Sequence, residues 1–386
     1  MKSKSLTLFT AMIVFVALAT PVSLGAQDIQ NSHHAKFITF DAPGAGSTTG
    51  LSYWGNPQGT YASFINPAGV IVGAYADKNW LYHGFVRYPD GSFKKIDVPG
   101  AAKVAPVSTY YGTIVFGINL NGTIVGQYED ASSFFHGFVS DPPYTKFTSI
   151  DIPGAGNSRL QGGTNVDCIN DFGTTAGFVG NNDGFLFSYI RNPDGTFRTF
   201  EAGPGTGTSS FQGTWLQQFG SGCINDFGTI TGLYVDPSDV GHGFVRYLNG
   251  TITTFDPPGA TWTWANAINL GGAIVGGYSD ASGVSHSFVR YLNGTITAFD
   301  PPGAAQGSGA NGINLWGVIV GGYTDNNGAS HGYVRHPDGS FMKIDAPGAG
   351  TASGQGTNPL SINLQGEITG IYTDANGVYH GFLLNP

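Results

Sequence analysis

An asparagine recurs at Asn66, Asn119, Asn170, Asn225, Asn269, Asn314 and Asn363, at intervals of 53, 51, 55, 44, 45 and 49 residues. Each closes a short run of mostly apolar or small residues and opens a Gly-containing turn. In the stretch GINLWGVIVGGYTDNNGASHGYVRHPDGSFMKIDAPG (Gly312 to Gly348), the turn is followed by Val-Ile-Val-Gly-Gly-Tyr, an Asp-Asn-Asn-Gly turn, His-Gly-Tyr-Val-Arg, a Pro-Asp-Gly turn and Phe-Met-Lys-Ile-Asp. Short β-like segments separated by turn residues, four to a unit and repeated at this period, predict a β-propeller.

The two ends of the repeat complement each other. Phe37 to Gly44, FITFDAPG, matches the fourth segment with nothing before it, and Leu360 to Pro386 supplies the first three with nothing after them. The expected fold is therefore all-β: a seven-bladed β-propeller of four-stranded antiparallel blades. Its ring would be closed by the N-terminal outer strand joining the C-terminal blade, which leaves no free sheet edge. A repeat from end to end makes residues 37–386 one domain. The 61 glycines fit the same pattern, because most fall at fixed places in the turns and strands of the repeat.

The first 26 residues read differently. Lys2 and Lys4 precede an apolar run from Leu6 to Ala19, and Pro21, Ser23, Gly25 and Ala26 form a cleavage region, as in a secretory signal peptide. The run is short for a membrane anchor. Residues 27–36, with His33 and His34 side by side, are expected to be a disordered leader remnant. The mature chain would be secreted or periplasmic, without stable membrane insertion, and a monomer. Its formal charge of −9 becomes −11 once two lysines leave with the leader. Such a surface repels phosphate backbones, which argues against nucleic acid.

With strands labelled a to d from the axis outwards, the a–b and c–d turns share one face. The b–c turns and d–a connections share the other. The d–a connections vary most, among them Ala45 to Tyr61, Ala101 to Thr113, Pro204 to Gly220 and Ala260 to Ala265, and variable loops on one face of a repeat mark where binding sits. Trp54, Trp215, Trp262 and Trp264 fall in these connections with Tyr110 and Tyr111, and Trp80 falls in a b–c turn, while Trp316 lies on the opposite face. The aromatic set is the candidate ligand platform; the alternative is that long loops fold back and use these rings as local core.

A histidine opens strand c at His83, His136, His242, His286, His331 and His380. Antiparallel pairing sets it beside a carboxylate at the end of strand d: Asp97, Asp151, Asp256, Asp300, Asp345 and, across the closure, Asp41. The third copy has Phe187 and Glu201 instead. Six symmetric copies suit a structural hydrogen bond better than one acid–base or metal site. Asp77, Asp130, Asp236, Asp280, Asp325 and Asp374 in the b–c turns lack the late bidentate carboxylate of a calcium loop and read as plain turns. No metal or cofactor is expected. Cys168 and Cys223 occupy equivalent positions of adjacent inner strands, near the upper limit for bridging, so a disulfide and a compact buried filler both remain open.

The repeated INxxGxIVGxYxDxxGxxHGFVR pattern resembles the bacterial "probable extracellular repeat, HAF family". Its tripeptide appears here as HGF at His83, His136, His242 and His380, HSF at His286 and HGY at His331. The resemblance implies an exported bacterial repeat protein and no particular activity. Three functions follow in order of preference: a non-enzymatic scaffold binding carbohydrate or an extracellular protein, a propeller enzyme (lyase, lactonase or hydrolase) with a site at the channel mouth, and a structural envelope or matrix component.

Overall fold

The computed structural model describes residues 36–49, 57–103, 112–156, 162–203, 205–216 and 222–386. The signal peptide and nearly all of the leader expected from the sequence lie outside these residues, as do Trp54, Tyr110 and Tyr111. Among the described residues the regular structure is all strand and turn, in successive antiparallel sets of four, a propeller-like fold.

The first set shows the plan. Inner strand Gly59–Ile65 pairs with Ile71–Ala76, that with Tyr82–Arg87, and that with outer strand Phe93–Ile96. The second strands, such as Ile71–Ala76 and Ile124–Glu129, are buried along their whole length, as strands covered on both faces must be. The outer strands are short and partly exposed, as in the Phe-Lys-Lys-Ile of Phe93–Ile96. At the termini, Lys36–Phe40 pairs antiparallel with Tyr379–Asn385, from Lys36 opposite Asn385 to Phe40 opposite Gly381. The strand thus begins one residue earlier than the sequence predicts.

Apolar clusters fill the spaces between sets. One joins Val72, Val86 and Ile96 to Val115, Ile124 and Phe138 of the next set. Another joins Ala42 of the N-terminal segment, Ile71 and Phe85 of the first set and Leu383 of the last. Arginines at the ends of third strands lie over phenylalanines of the preceding outer strand, Arg87 on Phe40 at 4.7 Å and Arg335 on Phe299 at 4.6 Å.

Each recurring Asn ends an inner strand and does two things. Asn66 Oδ1 accepts from the backbone N–H groups of Ala68 and Val70, shaping its turn. Its Nδ2 donates to the carbonyl of Asn119, and the bond then passes from Asn119 to Asn170, Asn225, Asn269, Asn314 and Asn363, at 3.0–3.4 Å. Asn363 returns it to the carbonyl of Asn66. The seven side chains therefore make a closed cycle of hydrogen bonds, around a cavity of about 220 Å³ lined by residues next to each of these asparagines.

Cys168 and Cys223 are joined in a disulfide, with Cα atoms 5.8 Å apart. Of the two alternatives, bridge and buried filler, the bridge is formed, and the separation lies within the bridging range and not at its upper limit.

Candidate functional site

At the other end of the inner strands, the second residue of each is a small hydroxyl residue held between sets. Thr60, Thr113, Thr164, Thr214 and Thr357 accept the backbone N–H of a residue just after an outer strand, at 2.8–3.0 Å. Thr263 and Ser308 donate instead to Asp256 and Asp300. Strand alternation turns the next residue the other way. That residue is Tyr61, Ile114 or Asn165 in the first three sets, Trp215 or Trp264 in the next two, and then Gly309 and Asn358. Tyr61, Ile114 and Asn358 line a cavity of about 310 Å³, and Trp264, Gly309 and Asn358 line one of about 320 Å³. This level of the inner strands thus carries aromatic rings and amides with no acid, Lys, Arg or His.

Trp215 and Trp264 are therefore strand residues, not loop residues: Trp215 ends Gly213–Trp215, and Trp262 and Trp264 belong to Trp262–Ile268. The sequence reading began the inner strands several residues late, because small residues and Thr at their starts resemble loop. A Gly-Thr pair opening Gly59–Ile65, Gly112–Ile118, Gly163–Thr164, Gly213–Trp215 and Gly356–Ile362 was the available signal.

Trp262 has a packing role. Where it stands, other sets have a glycine set tightly against the preceding third strand, as Gly59 is against Tyr379 at φ 115°. In the Trp262 set the glycine has moved across to Gly241, and the indole lies over it. Trp264 likewise lies over Gly277, its register partner. Trp80 is half-buried at φ 65°, in a turn position that is glycine at Gly184, Gly283, Gly328 and Gly377.

The His and Asp residues form one repeated arrangement. Nδ1 of each His lies 2.6–3.0 Å from the outer-strand carboxylate, in the pairs His83–Asp97, His136–Asp151, His242–Asp256, His286–Asp300, His331–Asp345 and His380–Asp41. Nε2 points to the turn aspartate at 3.4–3.8 Å. The ring packs on a second-strand tyrosine, with centroids 4.8–5.2 Å apart. The hydrogen bond that His136 donates to Asp151 raises its pKa, and the one that His380 donates to Asp41 raises that of His380. In the third set the His, the tyrosine and both carboxylate positions change together, to Phe187, Val179, Glu201 and Asn181. Among the described residues, no group of three or more His, Cys, Asp or Glu is arranged to hold a metal ion.

Sequence reasoning missed two features. The most exposed large apolar side chains gather on the opposite face, in the a–b and c–d turns: Phe172, Phe227, Leu248, Leu292 and Trp316 are all more than 60% exposed. The described indoles of the variable face, Trp80, Trp215, Trp262 and Trp264, are half-buried by comparison. The second feature is Asp167, fully buried between the short strands Gly163–Thr164 and Cys168–Ile169 with neither carboxylate oxygen hydrogen-bonded. Burial pushes its pKa well above the usual carboxylate range.

No family model and no curated protein matches the chain. Among solved structures it is similar to a streptogramin B lyase, at TM-score 0.52 and 12% identity over 90% of this chain and 98% of that one. It is also similar to a puromycin hydrolase S511A mutant complexed with PGG, at TM-score 0.52 and 14% identity over 86% of this chain and 52% of that one. A third is the β-propeller domain of the Trilobed protease from Pyrococcus furiosus, at TM-score 0.47 and 11% identity over 84% of this chain and 95% of that one. At these identities the likeness is one of fold.

Proposed function

We propose that the chain is an exported, seven-bladed propeller that binds carbohydrate without catalysis or cofactor, as a monomer, at the end of the inner strands where Tyr61, Trp215 and Trp264 lie. The observation that carries this reading is the chemistry of that level: aromatic rings and the amides Asn165 and Asn358, with no ionisable side chain other than the Tyr61 phenol. A sugar ring offers apolar C–H faces to an indole and hydroxyl edges to amides, whereas a charged ligand would find no counter-charge at this level.

The asparagine cycle and the pairing of Lys36–Phe40 with Tyr379–Asn385 support seven blades and closure through the N-terminal strand. Export is supported by the leader pattern, by the Cys168–Cys223 bridge, which suits an oxidising compartment, and by the resemblance of the repeat to an extracellular family. The repeated His–Asp contacts serve to fix the blades, since their full set recurs in six copies.

The test is a glycan array probed with the mature chain. Saturable binding to neutral glycans is expected. A folded protein that binds no glycan would overturn the carbohydrate reading.

A further inference from the structure

The inner-strand level is interrupted at one point. Where neighbouring sets place Trp215 and Trp264, the next set has Gly309. Trp264 lies over Gly277, whereas Gly309 is paired in the same register with Gly322, over which the Asn358 amide lies in place of an indole. A Cβ added at Gly309 would meet nothing within 4 Å. The result is the cavity of about 320 Å³, small among ligand sites and suited to one ring.

Its walls differ in chemistry. On one side stands the Trp264 indole, on the other Asn358. Asn311 donates from Nδ2 to Asn358 Oδ1 at 3.0 Å and to the carbonyl of Pro359 at 2.8 Å. That arrangement leaves Asn311 Oδ1 free to accept and Asn358 Nδ2 free to donate, on two residues that line the cavity. Gln306 is held by its Nε2 bond to the carbonyl of Asn326, which leaves its Oε1 as a further acceptor.

We propose that the cavity at Gly309, between Trp264 and Asn358, is a subsite for a single neutral pyranose ring. The sugar stacks an apolar face on Trp264 and exchanges hydroxyl hydrogen bonds with Asn311 and Asn358. This inference rests on the carbohydrate reading of the same face and narrows it to one site and one ring.

The test uses the mature full chain and calorimetric titration with methyl hexopyranosides drawn from the array. Gly309→Trp restores the side chain of the neighbouring sets and fills the cavity, and Gly309→Leu fills it with a smaller group. Both variants are expected to keep the melting temperature within a few degrees and to weaken methyl glycoside binding at least tenfold, with Trp264→Ala doing the same. If glycans bind and Trp264→Ala weakens them while both Gly309 variants bind unchanged, the subsite is wrong and the face reading stands. If no glycan of any length binds, both fall.

Discussion

Asn363 donates from Nδ2 to the backbone carbonyl of Asn66 at 3.1 Å, across 297 residues of sequence. The six other bonds of the cycle join residues 44 to 55 apart. Only this one brings the last inner strand back to the first, and its partners are almost fully buried.

If the cycle locks the sets together, its donors matter separately from its turn-shaping acceptors. Asn225→Asp keeps an oxygen for the turn N–H groups of Phe227 and Thr229 but loses the donor to Asn269 and sets a carboxylate against a carbonyl. It is expected to cost about 2–3 kcal/mol in urea unfolding, near the upper end for a single buried polar group. A loss under about 0.5 kcal/mol would show the cycle to be incidental.

Asp167 should be a liability that asparagine cures. The equivalent residues of two later sets, Asn266 and Asn311, donate from Nδ2 to the carbonyls of Ala310 and Pro359, each at 2.8 Å. Asp167→Asn gives the chain the same donor and is expected to stabilise it by about 1–3 kcal/mol at pH 8. An acid whose folded pKa is raised has its full stability below the unfolded value of about 3.9 and loses stability as pH rises towards the folded value. The gain from Asn should therefore shrink at pH 4; a gain independent of pH would mean that Asp167 is not held neutral.

His136 carries the opposite group chemistry with the same sign. Its folded pKa is raised by the Asp151 hydrogen bond, so its contribution is full below the unfolded value of about 6.5 and is lost as pH climbs through the folded one. Melting temperature should fall between pH 6 and pH 8, and Asp151→Asn should flatten part of that fall. Parallel curves for wild type and variant would refute the contribution.

Trp80 holds a left-handed conformation that glycine adopts freely. Trp80→Gly is expected to raise stability by roughly 0.5–1 kcal/mol in urea unfolding. A loss instead would show that the half-buried ring packs for more than its backbone costs.

The all-β, propeller-like arrangement was legible because Asn66 and its counterparts mark one strand end per repeat, and turn residues such as Asn119 to Gly122 mark the rest. What misled was the inner edge. Gly59 and Thr60 read as loop from composition alone, yet tertiary fit demands them: the glycine packs against Tyr379 and the threonine hydroxyl caps the N–H of Ala42. Trp215, Trp262 and Trp264 were misplaced with them, and the exchange of Trp262 for Gly241 across sets has no local signature at all. The burial of Asp167 was equally hidden, since an aspartate beside a cysteine says nothing of solvent access.

The most direct measurement is calorimetric titration of an array-selected neutral glycan into the wild type, the Trp215→Ala, Trp264→Ala double variant, and Trp316→Ala on the opposite face. Binding through the inner-strand mouth predicts at least a tenfold loss for the double variant and no change for Trp316→Ala. Unchanged affinity in the double variant, or loss confined to Trp316→Ala, would contradict it.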